Sequence, residues 1–251
     1  MEGPSLYLAA EQLKPFKGKS ANKVSGNTKF GKERLKNKKV VDIFSWGKHL
    51  VFQFDQFALR IHFMLFGSFE ATVNGKAVTG DYQRKNREPR LKLEFPNGNI
   101  IMFSCSVKYI ESPNAKSIYD FTVNVLSKEW DPSNALKKVQ ASPNSQIADV
   151  LLDQDIFAGV GNIIKNEVLH QAYVHPETKI GKLSNIKLKE IVKRTEDYCW
   201  DFYRWRKKFE LKKHYQVYRQ SICKRCGNKV VRKTTGERQR FSFICSVCQP
   251  K

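Results

Sequence analysis

The last thirty or so residues carry the tightest constraint in this chain: Cys223-x2-Cys226 and Cys245-x2-Cys248, two CxxC pairs separated by 18 residues. Each pair can place two thiolates on one tetrahedral Zn²⁺, and a short β-hairpin between the pairs would bring them together. A module this small has almost no core, so the metal must supply its folding energy. The expectation is one structural zinc on Cys223, Cys226, Cys245 and Cys248. The other two cysteines, Cys105 and Cys199, lie in apolar-rich segments and read as core thiols rather than as a disulfide.

Charge narrows the partner. Over 251 residues there are 45 Lys and Arg against 24 Asp and Glu, a formal +21. Such an excess points to nucleic acid or an anionic membrane and says nothing of fold. No apolar run reaches the roughly 18 residues that a spanning helix needs, and no signal peptide is evident. The expectation is therefore polyanion binding in the cytoplasm rather than attachment to a membrane. Within 221–251 the basic residues are Lys224, Arg225, Lys229, Arg232, Lys233, Arg238, Arg240 and Lys251, against the single acid Glu237. The cysteine module is thus either a structural staple or, with Arg238 and Arg240 on its hairpin, a contact for phosphate or the minor groove.

The rest of the chain changes character near residue 128. Up to 127, "LYLAAEQL" has helical spacing and is followed by a basic stretch from Lys14 to Lys39. "VVDIFSWGKHLVFQF" and "ALRIHFMLFGSFEATV" are rich in β-branched and aromatic residues, and "LKLEFPNGNIIMF" carries a hairpin signal at Asn97-Gly98. Two layers of short antiparallel strands are the natural inference. From 128 to 220 the pattern is helical. Asp131-Pro132 is a helix start, and Ser184 caps a further amphipathic helix. Between them, "QIADVLLDQDIFAGVGNIIKNEVLHQA" reads as two helices joined by a glycine-containing turn. Those glycines either serve tight packing or free backbone amides for phosphate at the head of the next helix, where Asn162 adds a side-chain amide. The fold class is α+β and multidomain, with domains at 1–127, 128–220 and 221–251.

Taken together these segments resemble the formamidopyrimidine-DNA glycosylase / endonuclease VIII family of base-excision repair enzymes. The resemblance runs through "EGPS", "SWGKHL", "VLSKEWDP", "LLDQDIFAGVGNIIKNEVL" with "VHPE", and "QVYRQSICKRCG" with "RQRFSFICSVCQ". It implies an N-terminal β-sandwich flanked by helices, a helix–two-turn–helix domain and a zinc finger, acting as a monomer on double-stranded DNA that contains damaged or abasic sites. It also implies site residues. The catalytic set would be Met1, Glu2 as the acid beside the terminal amine, and Lys48 near the lesion phosphate. Asn162 and Arg240 would bind phosphate, and His62 would join the DNA contacts. Met64, Leu65 and Phe66 fall where the family fills the hole left by an extruded base; plain strand core is the other reading of these three.

Two departures bear on activity. The family's mature chain begins with proline, and Met1 stands in its place here; glutamate in second position is too bulky for ordinary methionine removal. An α-amine has a reference pKa of about 7.7–8.0 against about 10.4 for lysine, which suits Schiff-base chemistry. A primary amine, however, gives a neutral imine rather than the charged iminium of proline. The alternatives are a bifunctional glycosylase/AP lyase, a catalytically impaired binder of damaged DNA, and a general RNA- or DNA-binding zinc protein whose basic finger suffices without lesion chemistry. The second departure is the segment "WDFYRWRKKFELKKHYQVYRQ", short and without glycine, which resembles the endonuclease VIII branch and its oxidised pyrimidines more than the purine-directed members.

Overall fold

In the computed structural model, residues 1–80 and 87–251 are described. The chain divides into two compact units, Met1–Asp120 and Phe121–Lys251. The segments 128–220 and 221–251, read from sequence as separate domains, lie together in the second unit, which begins a few residues before 128.

The first unit opens on helix α1 (Gly3–Leu13), with Pro4 in its first turn. Leu6, Ala9, Ala10 and Leu13 recur at helical spacing and are buried. Phe16 follows and stacks on Phe95 with ring centroids 4.3 Å apart. Burial of each such Leu or Phe contributes roughly 1.5–3 kcal/mol. Seven strands form one antiparallel network: β1 (Lys23–Ser25), β2 (Asp42–Trp46), β3 (His49–Gln53), β4 (Ala58–Val73), β5 (Lys76–Thr79), β6 (Leu91–Phe95) and β7 (Gly98–Ile110). Their order is β1-β6-β7-β4-β3-β2, with β5 on β4.

The long strands β4 and β7 run through both halves of this network, and their register breaks between Phe63 and Ser68. Before the break β4 pairs with β3 and with 105–110 of β7; after it, β4 pairs with β5 and with 98–103 of β7. Two half-sheets therefore share two strands. Ile43, Leu50, Phe52, Leu59 and Ile61 from one half and Phe69, Ala71, Leu91, Leu93, Ile100 and Met102 from the other join a single buried cluster with α1. This is the expected sandwich, made from one continuous sheet. Strand β6 shows its logic plainly: Leu91, Leu93 and Phe95 are buried while Lys92 and Glu94 are partly exposed. Cys105 is buried here, which pushes its thiol up to about 12, and Cys199 is buried in the second unit.

The second unit holds α2 (Pro132–Gln140), α3 (Ile147–Val150), α4 (Asn162–Gln171) and α5 (Asn185–Lys207), then β8 (Val230–Thr235) paired with β9 (Arg240–Cys245). The two expected caps are made. Asp131 accepts from the backbone N–H groups of Ser133 and Asn134 at 2.9 and 3.0 Å, and Ser184 accepts from Lys187 at 3.2 Å. Helix α4 is buried from Ile164 to His170 with no solvent face over that stretch, so Lys165, Asn166, Glu167 and His170 are all inside. Among the described residues, no helix is long and apolar enough to cross a membrane.

Candidate functional site

In the first unit Met1 and Glu2 open α1, and His62 lies within the field of both the terminal amine and Lys48. Glu2 is the N-cap residue of that helix, and its carbonyl accepts from Ser5 and Leu6 at 3.1 and 3.3 Å. Met1, one residue earlier, packs on the edge of the core. Lys48 lies in the two-residue Gly47-Lys48 turn joining β2 and β3, across which Trp46 pairs with His49. The turn is braced from below: Trp46 stacks on Tyr119 at 5.0 Å and donates its indole N–H to the carbonyl of Asp120 at 2.8 Å. His62, on β4 directly opposite His49, has its Nδ1 3.2 Å from the carbonyl oxygen of Lys48. That contact fixes Nδ1 as the protonated nitrogen. Burial lowers the His62 pKa; the Lys48 carbonyl opposes this, and the charges of the terminal amine, Lys48 and Arg60 lower it further. His62 is thus a neutral imidazole within the field of both candidate amines.

Met64, Leu65 and Phe66 do not belong to the strand core. Four residues, Met64 to Gly67, stand opposite the single residue Ser104 between the two registers of β4 and β7, and the extra length loops outward. The three side chains are 55%, 70% and 37% exposed. Phe66 has a positive φ of 67°, and its carbonyl accepts from Arg87 at 3.0 Å. Gly67 permits the bend, since a Cβ there would fall 2.6 Å from the carbonyl oxygen of Ser104 and 2.7 Å from the amide nitrogen of Met64. The result is an apolar projection on a fixed base. Arg87 was not singled out from the sequence, and nothing in its local pattern marks it.

In the second unit α4 carries the cysteine module. Asn162, its first residue, donates from Nδ2 to the carbonyl of Phe241 on β9 at 2.9 Å, while its Oδ1 is buried without a hydrogen-bond partner. Lys165 donates to Ser242 Oγ at 2.9 Å. Asn166 accepts the N–H of Phe243 at 2.7 Å. Glu167 accepts three successive backbone N–H groups, of Gln216, Val217 and Tyr218, at 2.8, 3.1 and 2.7 Å. Burial raises the Glu167 pKa, against the pull of those donors. At the other end of the hairpin, Asp149 of α3 accepts from Glu237 and Arg238 at 3.0 and 3.3 Å. Gly236 is required there: its φ is +73°, and a Cβ would collide with the Asp149 carboxylate. Arg240 opens β9 and is exposed. Beside the hairpin is an open cavity of about 610 Å³ lined by Asn162, Tyr218, Arg219, Arg232, Phe241 and Phe243 among others, and Arg240 is not one of its walls. Arg232 lies over the Phe241 ring at 3.8 Å.

The four cysteines converge as expected: their sulfurs all lie within 4.8 Å of one another. Their chemistry fits a divalent cation. Side-chain and backbone donors of Asn228 hold the Cys226 thiol down to about 6, whereas burial and the neighbouring sulfurs push Cys248 up to about 12 and burial raises Cys245. Four thiolates at this spacing require a positive charge among them. One neighbour escaped the sequence reading: Nε2 of the fully buried His170 is 3.2 Å from Cys223 Sγ.

Comparison with known proteins agrees with this geometry. The model of the formamidopyrimidine-DNA glycosylase H2TH domain matches residues 122–198. Endonuclease 8-like 3 of Mus musculus is 33% identical over 207 residues, 81% of this chain and 33% of that protein. Endonuclease 8-like 2 of Mus musculus is 32% identical over 201 residues, 77% of this chain and 58% of that protein. The chain thus spans about a third and rather more than half of these relatives' lengths. Formamidopyrimidine-DNA glycosylase of Lactococcus lactis, solved with DNA containing an AP site, has the same fold over the full length of both chains, with a TM-score of 0.83 at 21% identity. The chain belongs to the formamidopyrimidine-DNA glycosylase / endonuclease VIII family, on its endonuclease 8-like side.

Proposed function

We propose that this chain is a base-excision repair glycosylase with AP lyase activity, using the amine of Met1 as its nucleophile and one zinc ion in the finger. The observation that carries this is His62, held against the Lys48 carbonyl and within the field of both the Met1 amine and Lys48, with an apolar projection on the strand that bears it. The amine would attack the sugar C1′ as the damaged base leaves, with Glu2 assisting proton transfer, and elimination from the Schiff base would then cut the strand. Its DNA partner, containing damaged or abasic sites, is inferred from the basic finger, from Asn162 and Arg240, and from the DNA-bound state of the Lactococcus lactis relative. Oxidised pyrimidines are the favoured bases because the segment 200–220, short and without glycine, resembles the endonuclease VIII branch; within it Trp205 and His214 stack with ring centroids 4.0 Å apart.

One feature favours the second reading, a binder of damaged DNA with impaired chemistry. Methionine supplies a primary amine on a flexible side chain, and small misplacements of a nucleophile cost about a hundredfold. Borohydride trapping on an abasic duplex, with nicking of a thymine-glycol duplex, separates the two. A chain carrying proline between Met1 and Glu2, processed to a proline terminus, should trap far more at similar affinity if the impairment is real. No trapping by either chain would remove the terminal amine from the mechanism, and trapping abolished by Lys48→Ala with the terminus intact would move the nucleophile to Lys48.

A further inference from the structure

We infer that His170 is a positioning residue of the metal centre: its Nε2–H donates to the Cys223 thiolate, tying the last turn of α4 to the first CxxC knuckle. The inference rests on the reading of the four cysteines as a metal site. His170 lies on α4, outside the cysteine module and 53 residues from Cys223 in sequence, yet its ring is fully buried with Nε2 3.2 Å from Cys223 Sγ. The ring's other nitrogen, Nδ1, is buried and has no hydrogen-bond partner.

Those two facts fix the tautomer. With the proton on Nδ1, a buried N–H would be orphaned and the Nε2 lone pair would face a thiolate. With it on Nε2, the proton sits between nitrogen and sulfur, and only an acceptor goes unpaired, the less costly defect. His170 Nε2 is not among the sulfur cluster's mutually close ligand atoms, so it acts on a ligand and not on the ion. A donor to a thiolate withdraws charge from sulfur and holds it in orientation; removing such an outer partner typically lowers metal affinity about 10- to 100-fold.

The surroundings show a docking built around this contact. Arg225, within the first CxxC, donates to the His170 carbonyl at 2.9 Å and lies over the Tyr173 ring at 4.0 Å. Gln249, one residue after Cys248, donates to the carbonyl of Val174 at 2.9 Å and accepts from Cys245 N–H at 3.3 Å. Both cysteine pairs are therefore tied to the end of α4, the first through a ligand sulfur and the second through the backbone. The head of the same helix holds β9 through Asn162.

The test uses the full chain loaded with zinc, and a cobalt(II)-substituted preparation for spectroscopy. His170→Phe keeps the ring's volume and removes the donor. It should transfer zinc to a competing chelator at least about tenfold faster and move the thiolate-to-cobalt charge-transfer band to lower energy. His170→Gln, which restores an N–H, should recover part of both. A purely space-filling role predicts an unchanged band and unchanged transfer in His170→Phe, and that result would overturn the proposal. Should neither variant fold, long-range ¹H–¹⁵N correlation on the wild-type zinc protein decides: a neutral Nε2-protonated ring supports it and an Nδ1-protonated ring refutes it. Purified protein without bound metal would instead refute the underlying reading of the cysteines.

Discussion

The two units build their candidate sites by opposite means. In the first, the groups are set out by backbone devices: a helix start for Met1 and Glu2, a two-residue turn for Lys48, and a bulge for Met64–Phe66. These side chains are exposed or half-exposed, and of them Met1 alone joins the packing of the core beneath. In the second, the hairpin is held mainly by polar groups of α4, of which Lys165 and Asn166 are buried, with Asp149 of α3 at its far end, while Arg240 stands exposed. The first arrangement tolerates substitution without loss of fold, since exposed residues away from special features change stability by about 0.5 kcal/mol or less. The second does not, because removing one partner leaves buried donors or acceptors unmade.

The largest effect should come from the metal. Chelation, or Cys223→Ser, removes a term on the order of 10 kcal/mol from a module with little core of its own. Limited proteolysis should then cut at Arg238 and Arg240, while the melting of the first unit stays where it was. A hairpin equally resistant with and without chelator would show that α4 alone holds it.

Next in size is Glu167. Three backbone N–H groups converge on its buried carboxylate, so Glu167→Ala should cost on the order of 3 kcal/mol in the second unit, and Glu167→Gln, which keeps one acceptor oxygen, distinctly less. Thermal melts of the two variants, read with a tryptophan probe, check this. Equal losses would mean that packing rather than hydrogen bonding carries the effect.

This network marks where sequence reading stops. The four-cysteine cluster was legible because cysteine spacing is itself the chemistry, and the helix starts at Asp131 and Ser184 because a cap acts on N–H groups two or three residues away. The candidate residues near the terminus were named only through the family resemblance, and for Met64–Phe66 pattern alone left core and wedge open. Asn166, Glu167 and His170 were not legible. Helical periodicity sends polar residues to solvent, and nothing local says that α4 is covered on every side. Their partners across the unit lie 49 to 77 residues away, and those of Asp149 lie farther still, at 88 and 89. Such long-range pairings have no spacing to read.

A smaller effect, and one without cost to the fold, is expected at Arg240. It is exposed at the start of β9, so Arg240→Ala should leave both melting transitions in place. Charge-assisted contacts to phosphate are worth roughly ten- to a hundredfold in affinity, and a shallower salt dependence should accompany the loss. Fluorescence anisotropy with a lesion duplex at two salt concentrations measures both. Unchanged affinity would leave the finger as a structural staple.

The smallest expected effect lies in the first unit and depends on pH. His49 is held by burial, and then by the charges of Arg60 and His62, down to about 4 against an ordinary 6.5, and its Nδ1 is buried without a partner. Between those two values the unfolded chain binds a proton that the folded chain refuses, so stability rises with pH across the window. The contribution is therefore fully present above about 6.5 and is lost as pH falls toward 4. Because the ring keeps some access to solvent, the loss should be smaller than the whole shift implies. His49→Phe, which keeps an aromatic ring beside Trp46 and Tyr119, should flatten this acid limb in chemical denaturation of the first unit while leaving stability near neutrality little changed. If the variant and the parent lose stability in parallel from pH 6.5 to 4, the proton is taken up elsewhere, and His62, the other half-buried ring of the pair, is the next group to replace.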